Sequence, residues 1–445
     1  MTQKKLKIVM VASCPFPANH GTPGAIRELA MHLLKLGHEV HVVTYPSCQE
    51  DIDVDGLIIH RANVPFYHND KDEIVIGPSI SRVLYDMFMV PLLIKVVLKH
   101  EIDIIHTHNY EASIAGVMAK WVTRRPMVYT GINSMQDELP TYEGLRPKWL
   151  MRKIGRMLDF LVPRAGNVLM VLSDELKDYL IKEIGVNEEK VLVVPPGVDL
   201  SMFENGCGEK VRQKLGILPD RKVVIYTGAF EYFQRVDLLI EAMRLVVKRY
   251  PDVILLLAGN VKNEKIKKSL FSQARDIGIE ENLLLVDSVS LEDLPDYLDA
   301  ADVGVIPRVS CPGYPIKLLN YMASGNAIVS FAGSAKALCH GFNGYVAENE
   351  SVEDMAAGIN LILSDRSLGN DLGIRAKETI DGVFDWHSLA VGTENIYYQL
   401  LDTGCLDRSK LNGVLKKSYI PSLQEREGVN AGFLKHGHIQ FLQYE

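Results

Sequence analysis

Apolar positions along this 445-residue chain fall into short unbroken runs separated by helical patterns. The first run, Lys7-Ile-Val-Met-Val-Ala-Ser13, leads into a Pro/Gly loop from Cys14 to Gly24. A helical pattern from Ala25 to Leu36 follows, closed by Gly37, and then a second run from Glu39 to Tyr45. A run apolar at every position is a strand buried on both faces, and strand, glycine loop, helix and strand together make a βαβ unit of a parallel sheet. The same reasoning predicts strands at Leu57–His60, Ile102–His106, Met127–Thr130 and Val168–Leu172. A further strand from Val191 ends in Pro195-Pro-Gly197, which reads as an interdomain linker. The pattern then restarts with a strand from Lys222 to Thr227, Gly228, and a helix from Val236 to Arg249. Strands at Val253–Ala258, Leu283–Val286, Val303–Ile306 and Ala327–Phe331 complete the second half. Two successive halves of this kind predict an α/β fold of two doubly wound domains facing a cleft, with boundaries at 1–197 and 198–383.

Composition narrows the class. Hydrophobic residues are 47% and charged residues 23%, which excludes wholesale disorder. The net charge of −8 argues against a nucleic-acid partner. Six scattered cysteines without a C-x-x-C pair argue against a zinc site or a disulfide framework and for a reducing cytoplasm. The sequence from Met1 enters the first strand directly, and the most apolar stretch, Met87 to Leu98, is cut by Lys95 and too short to span a bilayer. The expected setting is cytoplasmic.

Open parallel sheets bind ligands at the carboxyl ends of their strands, so candidate chemistry is sought in those loops. Gly21-Thr22-Pro23-Gly24 allows close backbone approach and precedes a helix, yet lacks the G-x-G-x-x-G dinucleotide spacing. Gly228 to Arg235 is a second such loop, where Arg235 would meet a phosphate or stand in solvent. The third runs from Arg308 through Gly313-Tyr314-Pro315 to Lys317 and Asn320. A lysine in a helix's first turn opposes the helix dipole, which makes sense where an anion sits, and Arg308 supplies a second positive charge. His106-Thr-His108 suits either a metal or a hydrogen-bonded strand end, and Asp51-Ile-Asp53-Val-Asp55 either a metal or a solvated acidic loop. The basic stretch Lys148 to Arg156 beside an apolar face fits an anionic membrane surface or an ordinary surface helix.

These stretches, taken with Asp103-Ile-Ile-His106, Val194 to Asp199, Tyr226 to Glu231, Asp299-Ala-Ala-Asp302 and Met322-Ala-Ser-Gly325, resemble the retaining glycosyltransferases of family four, the glycosyl group-1 transferases. The resemblance covers about residues 5 to 400 and implies the GT-B architecture of two Rossmann-like domains. Phe384-Asp-Trp386 is similar to the start of the closing helix of such enzymes, which implies a crossover helix over 384–402 returning to the first domain; the stretch 403–445 lacks the α/β alternation and reads as an appended tail. The chain departs from the family pattern at five matched positions. The two glutamates eight apart fall on Pro312 and Asn320, the arginine and lysine of the glycine loop on Ala229 and Gln234, and the first-domain histidine on Ile132.

The resemblance implies a glycosyltransferase that moves a sugar from a nucleoside diphosphate sugar, foremost a UDP-sugar, to a glycan, lipid or small-molecule acceptor with retention. Lys317, Arg308 and Arg235 are the expected catalytic cations; Gly228, Gly313, Tyr314, Pro315 and Asn320 the donor site; Gly21, Thr22, His108, Gln136 and Glu138 the acceptor site. Positive charge beside the leaving diphosphate would replace a metal or other cofactor, and closure about Pro195-Pro-Gly197 would exclude water. Two other readings fit the altered positions: a GT-B pseudoenzyme serving as a partner subunit, or a nucleotide-sugar epimerase. Contact with the inner face of a membrane fits the basic stretch.

Overall fold

The computed structural model describes residues 4–17, 21–46, 54–64, 80–142, 146–259, 264–287, 289–311, 314–404 and 406–407. His20, Asp51, Asp53, Pro312, Gly313 and all but 403–404 and 406–407 of the expected tail lie outside the described residues. The chain divides into two units, one holding the chain up to Gly197 together with the segment from Trp386, the other running from Val198 to Asp385 apart from the Pro312–Tyr314 stretch.

The first unit is built on a seven-stranded, wholly parallel sheet: β1 (Lys7–Ala12), β2 (Glu39–Thr44), β3 (Ile58–Arg61), β4 (Ile104–His108), β5 (Met127–Gly131), β6 (Val168–Val171) and β7 (Val191–Val193). The strand order is β3-β2-β1-β4-β5-β6-β7, so the order reverses between β1 and β4. Core on one face is Val9, Val11, Val43 and Ile105 under the helices Ile80–Lys99 and Asn109–Thr123. On the other face Ile8, Met10, Val40 and Ile104 meet Ile26 and Leu33 of the helix Gly21–Lys35 and Leu389, Ile396 and Tyr397 of the helix Trp386–Thr403. Strands buried on both faces are what continuous apolar runs produce.

In the second unit six parallel strands repeat the plan: β8 (Val223–Thr227), β9 (Ile254–Gly259), β10 (Leu283–Asp287), β11 (Val303–Ile306), β12 (Ala327–Phe331) and β13 (Tyr345–Ala347). Their order, β10-β9-β8-β11-β12-β13, reverses between β8 and β11. Such a reversal leaves a crevice at the strands' carboxyl ends where ligands bind.

Some boundaries differ from the sequence expectation. The first helix begins at Gly21 rather than Ala25, because Pro23 fits a helix's first turn, where its missing N–H costs nothing. β4 runs to His108 rather than ending at His106, which puts both histidines inside the sheet. The short strand β13 carries too few residues to register as a run. The Lys148 helix extends to Ala165 and buries Gly155 and Asp159 on its inner face.

Candidate active site

The crevice of the second sheet is formed from the loops after β8 and β11. β8 ends at Thr227, and Gly228 follows with φ of +113°, a conformation that side-chain-bearing residues rarely adopt. Gly259, ending β9, is equally constrained: a Cβ there would lie 2.1 Å from the Gly228 carbonyl oxygen. Tyr321 of the helix Ile316–Ala323 reaches back under the loop, its hydroxyl accepting the Thr227 N–H at 2.7 Å. Gly304 on β11 makes room for that ring, since a Cβ would sit 2.8 Å from it.

Into this frame the same helix delivers Lys317, the second residue after its cap Pro315. Lys317 Nζ donates to the Tyr226 hydroxyl at 2.7 Å and to Gln234 Oε1 at 3.1 Å, and lies 4.0 Å from the Tyr226 ring centroid. The Tyr226 hydroxyl in turn donates to the Ala229 carbonyl at 2.6 Å. A Cβ at Gly228 would come within 3.2 Å of Lys317 Nζ, so the glycine and the lysine fit each other. Burial pushes the Lys317 ammonium down to about 7, and the Arg308 guanidinium pushes the same way. A cation held in a low-dielectric frame with two neutral acceptors and, among the described residues, no carboxylate partner is poised for an anion.

Arg308 is half-buried after β11, its Nε donating to the Ser310 carbonyl at 2.7 Å and its guanidinium 4.9 Å from the Phe233 ring. The Ser334 hydroxyl fixes the Arg308 carbonyl at 2.8 Å. Asn320 stands one helical turn beyond Lys317, half-buried. Tyr314 precedes the cap, and burial raises its phenol. Gly228, Arg308, Pro315, Lys317 and Asn320 thus gather at the β8–β11 crevice, and Gly313 lies outside the described residues.

Arg235 is placed differently. It turns the chain at φ of +55°, its Nε pairs with Asp237 Oδ1 at 3.1 Å, and its other arm reaches Glu350 Oε1 at 2.8 Å. Its guanidinium is engaged by two carboxylates and is not brought to Lys317.

In the first unit the crevice lies between β1 and β4. His108 ends β4, buried, with Nε2 lacking a hydrogen-bond partner among the described residues and its ring pushed down to about 3 by burial. His106 stacks 4.3 Å away, but both its nitrogens are taken, by the Tyr397 hydroxyl at 2.6 Å and Thr130 Oγ1 at 2.7 Å, which makes it a core histidine rather than a metal ligand. Gly21 opens its helix at φ of +58° with open space where a Cβ would stand, and Thr22 follows half-buried. Glu138 accepts from Asn133 Nδ2 at 3.4 Å and from the Tyr142 hydroxyl. Gln136 is fixed by its backbone, whose N–H reaches Asp159 Oδ2 at 3.0 Å.

Sequence reasoning missed Asp159 and Arg82. Asp159, fully buried in the Lys148 helix, also accepts from Met135 N–H at 2.9 Å, from the Tyr179 hydroxyl at 2.8 Å and from Tyr110. It organises the Gln136–Glu138 turn, and Gly155 permits the approach, since a Cβ there would be 2.2 Å from the Met135 carbonyl. Arg82 donates to the Ser13 carbonyl, just past β1, at 3.3 Å. An aspartate within a basic helix was the one available signal for the first.

Comparison with known proteins bears on the family and the fold. The model of the Glycosyltransferase Family 4 domain matches residues 21–202, and that of the glycosyl transferases group 1 matches residues 208–379. An uncharacterized glycosyltransferase of Methanocaldococcus jannaschii is 25% identical over 381 residues, covering 83% of this chain and 92% of that protein. A D-inositol 3-phosphate glycosyltransferase of Pseudarthrobacter chlorophenolicus is 25% identical over 393 residues, or 85% and 90% of the two chains. Among solved structures, Anabaena HepE in complex with UDP shares the fold with a TM-score of 0.72 at 16% identity, over 89% of this chain and 100% of that one. With matching models over both units and the same paired parallel sheets, this chain belongs to the group-1 glycosyltransferases.

Proposed function

We propose that this chain transfers a sugar from a nucleoside diphosphate sugar, foremost a UDP-sugar, to an acceptor hydroxyl with retention at the anomeric carbon. One observation carries the reading: Lys317 Nζ, held by Tyr226 and Gln234 against Gly228 where the second sheet's strand order reverses. A departing diphosphate needs positive charge already in place. By resemblance the family's lysine falls on Gln234, and Lys317 Nζ lies 3.1 Å from the Gln234 carbonyl oxygen. Positive charge therefore enters the same site from the helix instead of from the loop. The Ile316 and Lys317 N–H groups at the helix start add to it, Arg308 supplies a second charge, and Asn320 meets the ribose.

In the proposed step the bond between the anomeric carbon and the donor's phosphate oxygen breaks, and its electron pair goes to that oxygen. The acceptor oxygen bonds to the anomeric carbon on the same face, and its proton passes to the departing phosphate. This scheme needs no metal at the diphosphate. The first unit receives the acceptor through Gly21, Thr22, His108, Gln136 and Glu138, joined by Arg82. UDP is favoured because HepE, which shares the fold, was solved with UDP and with UDP-glucose. Melting the protein with UDP, GDP, ADP and dTDP tests the donor class: one nucleotide at about 100 times its dissociation constant stabilises by about 2.7 kcal/mol, and no shift with any of them contradicts the reading.

A second observation bears on where the acceptor resides. In the first unit the helix Lys148–Ala165 exposes Trp149, Met157, Phe160 and Leu161 beside Arg152, Lys153 and Arg156. The helix Asn109–Thr123 exposes Trp121 at 76% and Val122 at 60%. Apolar rings interleaved with cations suit an anionic membrane surface. Among the described residues no helix is long and apolar enough to cross a membrane. We therefore propose peripheral contact and a membrane-borne acceptor. Sedimentation with phosphatidylglycerol vesicles but not with phosphatidylcholine vesicles is the expected result, and equal recovery with both contradicts it.

A further inference from the structure

Away from both crevices, three histidines converge on the β2–β3 pair. His41 is fully buried in β2, and His60 lies on the edge strand β3 in register with Val43, on the same face as His41. His100 caps the helix Ile80–Lys99. Glu101 takes φ of +55° and Ile102 N–H returns to the Val97 carbonyl at 3.1 Å, a helix ending that fixes the position of His100. Lys7 Nζ holds the His100 carbonyl at 3.1 Å. His41 Nδ1 lies 2.9 Å from His60 Nε2, and one nitrogen from each of the three rings lies within 4.8 Å of the others. Among the described residues this is the one grouping of three such ligands.

We infer that His41, His60 and His100 bind a late first-row divalent cation, zinc foremost, through three imidazole nitrogens. The second nitrogen of His41 already faces Glu39 Oε1 at 3.1 Å, the outer-sphere carboxylate that orients metal-bound imidazoles and sets their tautomer. With His41 Nε2–H donating to Glu39, its Nδ1 lone pair points at the cluster centre. Shifting the His60 proton from Nε2 to Nδ1 frees a second lone pair. Tetrahedral zinc with bonds of about 2.0–2.1 Å holds its nitrogens about 3.3 Å apart, so the His41–His60 pair opens by a few tenths of an ångström. His60 and His100 are half-buried, which leaves a path for the ion and room for a water as fourth ligand. The ion ties the edge strand β3 to β2 and to the end of the covering helix. It belongs to the first unit, whereas the diphosphate residues belong to the second, and no step of the proposed transfer is routed through it.

The test uses the untagged full-length chain, stripped with a chelator and desalted, then titrated with Zn²⁺ against a chromophoric chelator. One equivalent should bind and raise the melting temperature, and Mg²⁺ should do neither. His60→Gln and His100→Gln should each weaken Zn²⁺ at least tenfold. In the wild-type chain Zn²⁺ should also shield His60 and His100 from diethyl pyrocarbonate, which needs no variant to fold. Absence of a stoichiometric equivalent, wild-type affinity in either variant, or carbethoxylation unchanged by Zn²⁺ overturns the assignment.

Discussion

The ammonium of Lys317 and the amide of Gln234 are 3.1 Å apart, although 83 residues separate them in the chain. A helix and a loop that meet at the β8–β11 reversal thus share one polar point, and the cation that faces the diphosphate in the proposed step enters it from the helix.

The depressed Lys317 sets the sign of a pH effect. It titrates near 7 in the unliganded protein, so at pH 8 it is mostly neutral. A diphosphate favours the ammonium and moves it back toward the ordinary lysine value of about 10.4. UDP binding at pH 8 should therefore take up close to one proton, seen calorimetrically as unequal apparent enthalpies in HEPES and Tris. Without ligand, the unfolded chain keeps that proton to about pH 10.4 while the folded one loses it near 7, so this group's contribution to stability rises as pH climbs between them. Equal enthalpies in the two buffers would count against the assignment.

Arg235 separates a structural role from a phosphate role. Its guanidinium is paired with Asp237 and Glu350 on a partly exposed surface. Arg235→Ala should leave turnover within threefold of wild type and cost about 0–1 kcal/mol of stability. A hundredfold loss of turnover in a well-folded variant would restore it to the diphosphate.

Gly259 should tolerate no side chain. Gly259→Ala forces a Cβ against the Gly228 carbonyl at 2.1 Å, and the resulting overpacking should cost on the order of 1–3 kcal/mol in urea unfolding. It should also displace Gly228 from Lys317 and weaken UDP. Unchanged stability would mean that the two strand ends are further apart than described.

Asp159→Asn tests the turn that holds Gln136 and Glu138. Replacing the carboxylate weakens its charge-assisted bonds to Met135 and Gln136 N–H and to the Tyr179 hydroxyl, for a loss of about 1.5–3 kcal/mol. Denaturant titration reads it, and a change below about 0.5 kcal/mol would contradict a buried organising role.

Much of the fold is legible in the sequence because buried parallel strands appear as unbroken apolar runs; Val223–Thr227 and Val303–Ile306 are read almost residue for residue. The β8–β11 crevice is legible for the same reason, since Gly228 and Lys317 each lie in the loop or helix that follows such a run. What sequence hides is long-range pairing. Arg235 meets Glu350 across 115 residues, and no local pattern distinguishes that partner from a phosphate. His41, His60 and His100 are separated by spacings of no known motif and converge through strand pairing and a helix end. Asp159 hides inside a stretch whose basic residues dominate its reading, and its burial depends on Gly155 letting two backbones touch.

Turnover and UDP affinity of Lys317→Met, alone and combined with Gln234→Lys, test whether this cation serves the diphosphate. The single variant should lose on the order of 10²-fold in turnover while staying folded, as for one preorganised charge donor. Returning the cation from the loop side should recover at least tenfold of that loss. A single variant within threefold of wild type, or a combined variant no better than the single one, would contradict the account of one positive charge serving the diphosphate from either element.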